Sequence, residues 1–347
     1  MNAPGAGFWE ALLVECWCAL RGDIVIPQAS WRQRLWTVIA RCVIIALVTV
    51  VVTACLLAPP GVFKKSADLL KLINPEGFAE TGLKPNGRTL SELTYGVPFF
   101  WVSMKESAPR QAFMKKSLRG VVSNYMVEAM TDLSRVSLVT VLNETGHRVE
   151  YTERKDKVIL ACTLSHMRAM LTARKMGFDL AVFLEDDVNF DTHPLWKLSL
   201  RELAQAAPRG WKGIQLGFGA KRTDVRNKIW RQPEPFIRFN QFGYTAGAYG
   251  YMLSRAGMDA LVEKLKIEVS PEDPTEIISM TLPEELRAAD HALYFSLLPD
   301  MYTSTMMYVL HQCRQFQSTL HRDHEARHKR DSVAAREHYG LDTGACG

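Results

Sequence analysis

The stretch LAVFLEDD, residues 180–187, decides the fold, because an apolar run ends in three adjacent carboxylates. A continuous apolar run of this length is typical of a strand buried on both faces of a parallel sheet. Buried charge of one sign is costly unless an opposite charge neutralises it. Glu185, Asp186 and Asp187 therefore predict a ligand or counter-charge at the carboxyl end of this strand, where open α/β sheets bind their ligands.

Strand and helix patterns alternate on both sides of this run. The further strand patterns cover residues 97–104, 136–143, 213–218 and 248–254. The helix patterns cover residues 107–118, 156–177, 255–265 and 281–297. Ser254 is the expected N-cap of the third helix, and Thr281 with Glu284 forms a capping box for the fourth. This alternation predicts an α/β domain with a mostly parallel sheet flanked by helices.

The composition is that of an ordinary globular protein. Of the 347 residues, 47% are hydrophobic and 23% are charged, and the formal net charge is +5. Lys and Arg are not clustered, so nucleic acid is not an expected partner. The seven cysteines include no CxxC pair and predict no zinc knuckle. A Cys162–Cys313 disulfide is compatible with a lumenal domain.

Residues 42–63, CVIIALVTVVVTACLLAPPGVF, contain no charged side chain. The run is long enough to span a hydrocarbon core of about 30 Å, and it begins too far into the chain for a cleaved signal peptide. It predicts one transmembrane helix after a cytoplasmic segment 1–41, with a slight excess of positive charge setting the orientation. A stem at 64–92, a folded domain at 93–312 and a charged tail at 313–347 follow.

The tail mixes basic and acidic residues almost evenly and carries several histidines. His321, His324 and His328 share one face of a helix. Two interpretations are open, a metal site and, more simply, a solvated helix.

The spacing of the acidic cluster suggests a chemistry. Alternation along a strand predicts Glu185 and Asp187 on one side and Asp186 on the other. Two carboxylates two residues apart can serve one hard divalent ion, directly or through water. Such an ion can hold a diphosphate and act as a Lewis acid for a departing nucleoside diphosphate. The simpler alternative is that these carboxylates only cap the next element.

Several segments, in order and spacing, resemble glycosyltransferase family 25, the lipooligosaccharide β-galactosyltransferases and collagen galactosyltransferases. ILACTLSHMRAM (159–170) is similar to the family's G-C-x-L-S-H segment, and AVFLEDDV (181–188) to its I-L-E-D-D-V strand. GAYGYMLSRAGMDAL (247–261) is similar to G-T-x-A-Y-x-I-S-x-x-G-A-x-x-L, and FFWVSMKESAPRQAFM (99–114) more weakly to I-N-L-x-R-x-x-x-R. The resemblance covers roughly residues 97–312.

The resemblance implies a GT-A-like, Rossmann-type sheet. It implies transfer of a hexose, either galactose or glucose, from a UDP-sugar donor to a hydroxyl of a glycan or protein. It also implies Mn²⁺ or Mg²⁺ and inversion at the anomeric carbon, which requires a base for the acceptor proton. Asp290, in AADHALYF, falls where the family has a late aspartate in P-V-D-x-x-L and is the candidate base. A helix-surface carboxylate or a second metal ligand are its alternatives.

The matched motifs supply the other candidate residues. Asp187 is the first choice for the metal ligand, and Glu185 would bind the ion, its water or the donor ribose. Asp186 would assist cofactor binding by supporting the metal ligands without contacting the ion. His166 would approach the donor phosphates, unless Ser165 and His166 only cap and pack their helix. The remaining candidates for the donor or sugar site are Arg110, Ser103, Thr245, Gly247 and Tyr251, of which the last three also suit a tight strand entry with a packed aromatic residue.

Two further functions stay open. Ser103 replaces the family's early Asn, and Glu106 stands where an Arg is common. A catalytically inactive family member that binds sugar nucleotides or acts as a chaperone is therefore an alternative to the transferase. A metal-dependent phosphoesterase is a second alternative, although it needs more ligands than one acidic cluster offers. The sequon Asn143-Glu144-Thr145 predicts a glycoprotein if the domain is lumenal, as in a type II signal-anchor protein of the endoplasmic reticulum or Golgi.

Overall fold

The computed structural model describes residues 85–220, 222–283, 288–312 and 322–346. The predicted segment 1–41, the predicted membrane helix 42–63 and the stem up to residue 84 lie outside the described residues. Within the described ranges, no helix combines the length and apolar character needed to cross a membrane.

The described chain alternates strands and helices. The strands are β1 (Phe99–Ser103), β2 (Asn124–Glu128), β3 (Thr140–Leu142), β4 (Leu180–Glu185), β5 (Val188–Asn189), β6 (Gly213–Gln215), β7 (Gly219–Ala220), β8 (Phe236–Arg238), β9 (Thr245–Ala246), β10 (Gly250–Ser254), β11 (Glu268–Val269), β12 (Ile277–Thr281), β13 (Met301–Ser304) and β14 (Leu310–His311). The helices are α1 (Leu90–Thr94), α2 (Ala108–Ser117), α3 (Leu133–Val136), α4 (Arg154–Lys175), α5 (Leu200–Ala206), α6 (Thr223–Trp230), α7 (Arg255–Lys264), α8 (Ala289–Ser296) and α9 (Arg322–Tyr339). Single 3₁₀ turns lie at His193–Leu195 and Thr343–Cys346.

A seven-stranded sheet in the order β2-β1-β4-β10-β6-β13-β8 forms the centre of the domain. Five of these strands run in one direction, and β10 and β8 run against them. The predicted α/β domain with a large, mostly parallel sheet flanked by helices is therefore confirmed. The strand of the LAVFLEDD stretch, β4, lies inside the sheet between parallel β1 and antiparallel β10.

Both faces of the sheet are buried, which explains the continuous apolar run of β4. Phe183 packs into a core with α4, α7 and α8 on one face. Val182 and Leu184 pack into a second core with α1, α2 and α5 on the other face. Because successive strand side chains point to opposite faces, a strand covered on both sides has no position for a polar residue until it ends.

Local signals set the end of α4 and the beginning of α7. Helix α4 is followed by Gly177 at φ +79°, a conformation that favours glycine. Helix α7 begins behind Ser254, whose Oγ accepts the N–H of Gly257 at 3.1 Å, as predicted. A Cβ at Gly257 would lie 2.1 Å from the carbonyl oxygen of Lys212. Glycine at this position therefore lets α7 pack closely against the backbone that precedes β6.

The predicted capping box at Thr281 is wrong. Thr281 ends β12 and pairs with Leu142 of β3, and α8 begins only at Ala289 without a side-chain cap. Strand pairing with a segment about 140 residues away in sequence overrides the local helix signal, because β12 gains hydrogen bonds along its length in the three-stranded sheet β11-β12-β3.

The C-terminal helix α9 is part of the domain and differs from the solvated helix suggested by its charge. Ala335 is fully buried, and the hydroxyl of Tyr339 accepts the backbone N–H of Met307 at 2.9 Å. Asp331 forms an ion pair with Arg226 at 2.9 Å, with both side chains about nine-tenths buried. The hydropathy pattern of α9 does not reveal this packed face, because some of its charged residues form ion pairs inside the domain.

Candidate functional site

The carboxylates after β4 are neutralised by a guanidinium from α2. Asp186 accepts hydrogen bonds from Arg110 Nη1 at 2.6 Å and from Ser103 Oγ at 2.6 Å, through different oxygens. Asp187 Oδ2 lies 3.3 Å from the same Arg110 nitrogen. The predicted alternation is wrong, since Asp186 and Asp187 face one cation together. The reason is that β4 ends at Glu185 and the chain turns at the next two residues, where strand geometry no longer holds.

Glu185 is directed away from this pair. Its Oε1 lies 3.7 Å from His166 Nε2, and its side chain is one-third exposed. His166 Nδ1 lies 3.1 Å from the hydroxyl of Tyr251, and both residues are buried in the core. The structure thus places His166 beside Glu185, beyond hydrogen-bond distance and nearly closed to solvent.

The second oxygen of Asp187 has an unusual environment. Asp187 Oδ1 is buried and accepts no hydrogen bond from the described residues, while His311 Nδ1 lies 3.5 Å from it. The pairing of β14 with β5 sets His311 opposite Val188 and so brings it to the acidic turn. Sequence reasoning missed His311, and its one signal was a histidine directly after the apolar run MMYVL.

Burial and charge act in opposite directions on this cluster. Burial raises the pKa of Asp186 despite the hydroxyl and guanidinium that bind it. For Asp187, burial alone would raise the pKa, but the His311 imidazole and the Arg110 guanidinium outweigh it and hold the pKa below its usual value. The pKa of Arg110 is raised because the two aspartates outweigh the effect of its burial. Asp187 is therefore the firmly ionised member of the pair.

Two cavities meet at Glu185, which contributes to the walls of both. The β1 cavity has a volume of about 250 Å³, and Ser103, Arg110, Arg154 and Asp186 give it polar groups among apolar walls. The α8 cavity has a volume of about 330 Å³. Its polar lining residues are Glu185, Tyr249, Asp290, His311, His328, Asp331 and Ser332. Glu185 thus stands between a cavity with two arginines and one whose described lining holds neither Arg nor Lys.

Cys162 is the other residue common to the two cavities. It is a free thiol, so the Cys162–Cys313 disulfide is wrong, while Cys346 is disulfide-bonded. Burial and the nearby carboxylates, Glu185 first among them, raise the pKa of the Cys162 thiol. The thiol therefore stays protonated, and its small side chain lines both cavities.

Asp290 lies in the first turn of α8 and lines the α8 cavity. Its Oδ2 accepts the hydroxyl of Tyr244 at 2.7 Å and the backbone N–H of Gly247 at 2.9 Å. Gly247 has φ +106°, and a Cβ there would lie 2.7 Å from the ring of Tyr249. The structure therefore brings Asp290 into one cavity with Glu185. The backbone N–H of Gly247 helps to hold the Asp290 carboxylate there.

Thr245 and Tyr251 lie beneath the site and line neither cavity. Thr245 is buried, and its hydroxyl donates to Oε1 of the buried Gln215 at 2.8 Å. Tyr251 is fully buried and reaches only as far as His166. Direct sugar contacts by these two side chains are thus not available in this structure, and their roles are to support β9 and His166. Gln215 carried no sequence signal, because its role depends on partners from other strands.

A larger cavity, about 410 Å³, lies elsewhere, between the loop after β2 and β12. Its charged groups neutralise one another in part, as in the exposed pair of Arg135 with Glu276 at 3.5 Å. It does not reach the carboxylate cluster, so size alone does not identify the site.

The donor set fits a divalent cation that completes its coordination with substrate. Among the described residues, no group of three or more His, Cys, Asp or Glu side chains is arranged to hold a metal ion. A hard divalent ion bound with phosphates needs only one or two protein carboxylates, however. Asp187 lies behind the cavity walls and offers a buried oxygen that accepts no hydrogen bond from the described residues, while Glu185 offers a partly exposed carboxylate in the walls of both cavities. In the ion pairs of the described residues, Asp186 and Asp187 share one guanidinium, that of Arg110.

Comparison with known proteins adds no assignment. No protein-family model matches the chain, and no curated protein matches it.

Proposed function

We propose that the chain is a membrane-anchored, metal-dependent inverting glycosyltransferase with a GT-A-like domain. It transfers a hexose, galactose or glucose, from a UDP-sugar to a hydroxyl of a glycan or protein. The observation that carries the proposal is the position of Glu185 between two cavities of different charge, at the carboxyl end of β4. The resemblance of the three sequence segments to glycosyltransferase family 25 supports the same chemistry.

The β1 cavity suits the nucleotide end of the donor. Its apolar walls include Val102 and Met130, and its arginines, Arg110 and Arg154, provide positive charge for a diphosphate. Asp187 and Glu185 would hold Mn²⁺ or Mg²⁺, and His311 lies close enough to Asp187 to join them. When bound, the ion would neutralise the diphosphate and act as a Lewis acid for the departing UDP.

The α8 cavity suits the hexose and the acceptor. Asp290 is held there by hydrogen bonds from Tyr244 and Gly247 to one oxygen. In the reaction, the Asp290 carboxylate would take the proton of the acceptor hydroxyl as that oxygen bonds to the anomeric carbon. The bond from this carbon to the diphosphate breaks, and its electron pair leaves with UDP, which inverts the anomeric centre. His166 would keep Glu185 oriented between the two cavities.

A screen of UDP-sugars in Mn²⁺ buffer, read by released UDP, tests the proposal. We expect turnover with one hexose donor that stops in chelator, and a loss of about 10²–10³-fold in kcat for Asp187→Asn, in line with the removal of one electrostatic stabiliser from an active site. Asp259→Asn, which breaks exposed ion pairs with Arg174 and Arg255, is the control and should keep full activity.

Other results would contradict the proposal in different ways. UDP-sugar binding without any turnover or hydrolysis would favour the alternative of an inactive, chaperone-like family member. Activity that persists in chelator would exclude the metal-dependent form of the reaction.

The membrane topology has its own test at Asn143. In the exposed loop after β3, Asn143 Oδ1 accepts hydrogen bonds from the backbone N–H and hydroxyl of Thr145 and the backbone N–H of His147. For a lumenal domain of the endoplasmic reticulum or Golgi, we expect a glycosidase-sensitive mass shift that Asn143→Gln abolishes. An unmodified Asn143 in a chain that inserts into the same membrane would argue for the opposite orientation.

A further inference from the structure

The C-terminal helix contributes an aromatic contact to the acidic turn. His328, on α9, stacks on His311 with ring centroids 3.9 Å apart and ring planes 14° from parallel. The ring of Tyr249 also contacts His311, with centroids 3.9 Å apart. His311 in turn places its Nδ1 3.5 Å from the unsatisfied oxygen of Asp187. A contact thus runs from α9 to the carboxylate proposed to hold the cation.

Helix α9 is anchored firmly enough for this contact to be specific. His328, Asp331 and Ser332 are spaced by three and four residues, so they share one helical face, and all three line the α8 cavity. Asp331 is fixed by its buried ion pair with Arg226. Ser332 Oγ donates to the backbone carbonyl of His311 at 3.0 Å. The helix therefore holds both the backbone and the ring of His311.

The stacked ring limits how the His311 imidazole can turn. The terminal torsion of a histidine side chain is intrinsically broad, so the ring needs neighbours to fix its plane. Support of this kind commonly orients metal ligands, and its removal typically lowers metal affinity about 10–100-fold. Without the His328 ring, His311 loses one of its two aromatic contacts with described residues.

We propose that His328 is a positioning residue, whose stacked ring holds the His311 imidazole with Nδ1 toward Asp187 and so raises the affinity of the site for a divalent cation. The inference rests on the proposed function, in which Asp187 holds that cation. It gives the C-terminal helix a part in the proposed metal site.

Titration of the full chain with Mn²⁺, followed by the EPR signal of the free ion, tests this role without a turnover assay. We expect His328→Ala to weaken Mn²⁺ binding about tenfold. His328→Phe keeps a flat ring in the stack and should bind Mn²⁺ within about twofold of the unmodified chain, since only the nitrogen atoms are lost. Lys329→Ala, on the exposed side of α9, is the matched control and should bind normally.

The outcomes separate the two proposals. If the unmodified chain and His328→Ala bind Mn²⁺ equally well, the role of His328 is wrong and the proposed function stands. If His328→Phe is as weak as His328→Ala, the ring nitrogens are required and positioning by stacking is overturned. If the unmodified chain binds no Mn²⁺ with or without UDP, the metal-dependent function fails and this inference fails with it.

Discussion

The β1 cavity and the α8 cavity share Glu185 but neutralise their acids in different ways. In the β1 cavity, Asp186 is bound by the guanidinium of Arg110 and the hydroxyl of Ser103. In the α8 cavity, Asp290 is held by neutral donors, a phenol and a backbone N–H. The first arrangement pairs a carboxylate with a positive charge, whereas the second orients a carboxylate through neutral donors.

This difference matches the two halves of a sugar nucleotide. A diphosphate carries negative charge and is attracted by arginines, whereas a hexose is neutral and is bound by hydrogen bonds. Glu185 lies at the boundary, where the bond between the two halves would be. The contrast makes four predictions, which follow from the largest expected effect to the smallest.

Replacement of the α8 cavity acid should have the largest effect. We expect Asp290→Asn to lower kcat by about 10²–10⁴-fold, because an amide cannot take the acceptor proton. Binding of the UDP-sugar, measured by calorimetry with Mn²⁺, should change little. Tyr244→Phe removes one hydrogen bond but keeps the carboxylate, and should lower kcat far less. Near-normal turnover of Asp290→Asn would remove this residue from the role of base.

Loss of the β1 cavity guanidinium should affect stability. We expect Arg110→Met to reduce the free energy of unfolding by about 3–5 kcal/mol, because it removes the guanidinium that two buried aspartates share. Added Mn²⁺ should restore part of the loss if it binds the same acids. Arg174→Met breaks an exposed ion pair and should cost at most about 1 kcal/mol. If urea denaturation shows equal losses of unfolding free energy for Arg110→Met and Arg174→Met, Arg110 is not the principal counter-charge.

The hydroxyl of Ser103 should have a smaller effect on the same cavity. Ser103→Ala removes a buried hydrogen bond to a carboxylate and should cost about 1.5–3 kcal/mol in the free energy of unfolding. Ser134→Ala, which removes an exposed hydroxyl from Asp132, serves as the control. A loss no larger than that of the control would mean that Arg110 alone satisfies Asp186.

The smallest effect is a pair of opposite pH dependences. The pKa of Asp187 is lowered on folding, so its ionised form adds stability above the unfolded pKa of about 3.9 and loses it as the pH falls below that value. The pKa of Asp186 is raised, so its ionisation costs stability as the pH rises through the same region. The destabilisation by Asp187→Asn should therefore grow between pH 3 and pH 6, and that by Asp186→Asn should shrink. The unfolding free energies are measured by urea denaturation at each pH. If the losses for the two variants change in the same direction with pH, this difference between the two acids is contradicted.

Local features of the fold were predictable because few residues determine them. The apolar run of β4, the Ser254 cap and the helix end before Gly177 depend on neighbours within about four positions. The capping box at Thr281 failed because strand pairing with β3 outweighed the local signal. The alternation of the three acids failed because β4 ends at Glu185, which no pattern in the sequence marks.

The candidate site was predictable only in part. The acidic cluster drew attention by its own chemistry, and Asp290 by resemblance to a family. His311 and His328 were missed as parts of the site, because β14 pairing and α9 packing bring them to the acidic turn from more than 120 positions away.

The sequence by itself determined that a buried strand ends in three acids, and hence that charge compensation must occur at that edge of the sheet, since burial of like charges is costly wherever it occurs. Only the tertiary structure decided which groups provide it. Arg110 and Ser103 bind Asp186, and Arg110 and His311 lie beside Asp187. The physical reason is that these contacts depend on distances between elements that are set by the packing of the whole domain.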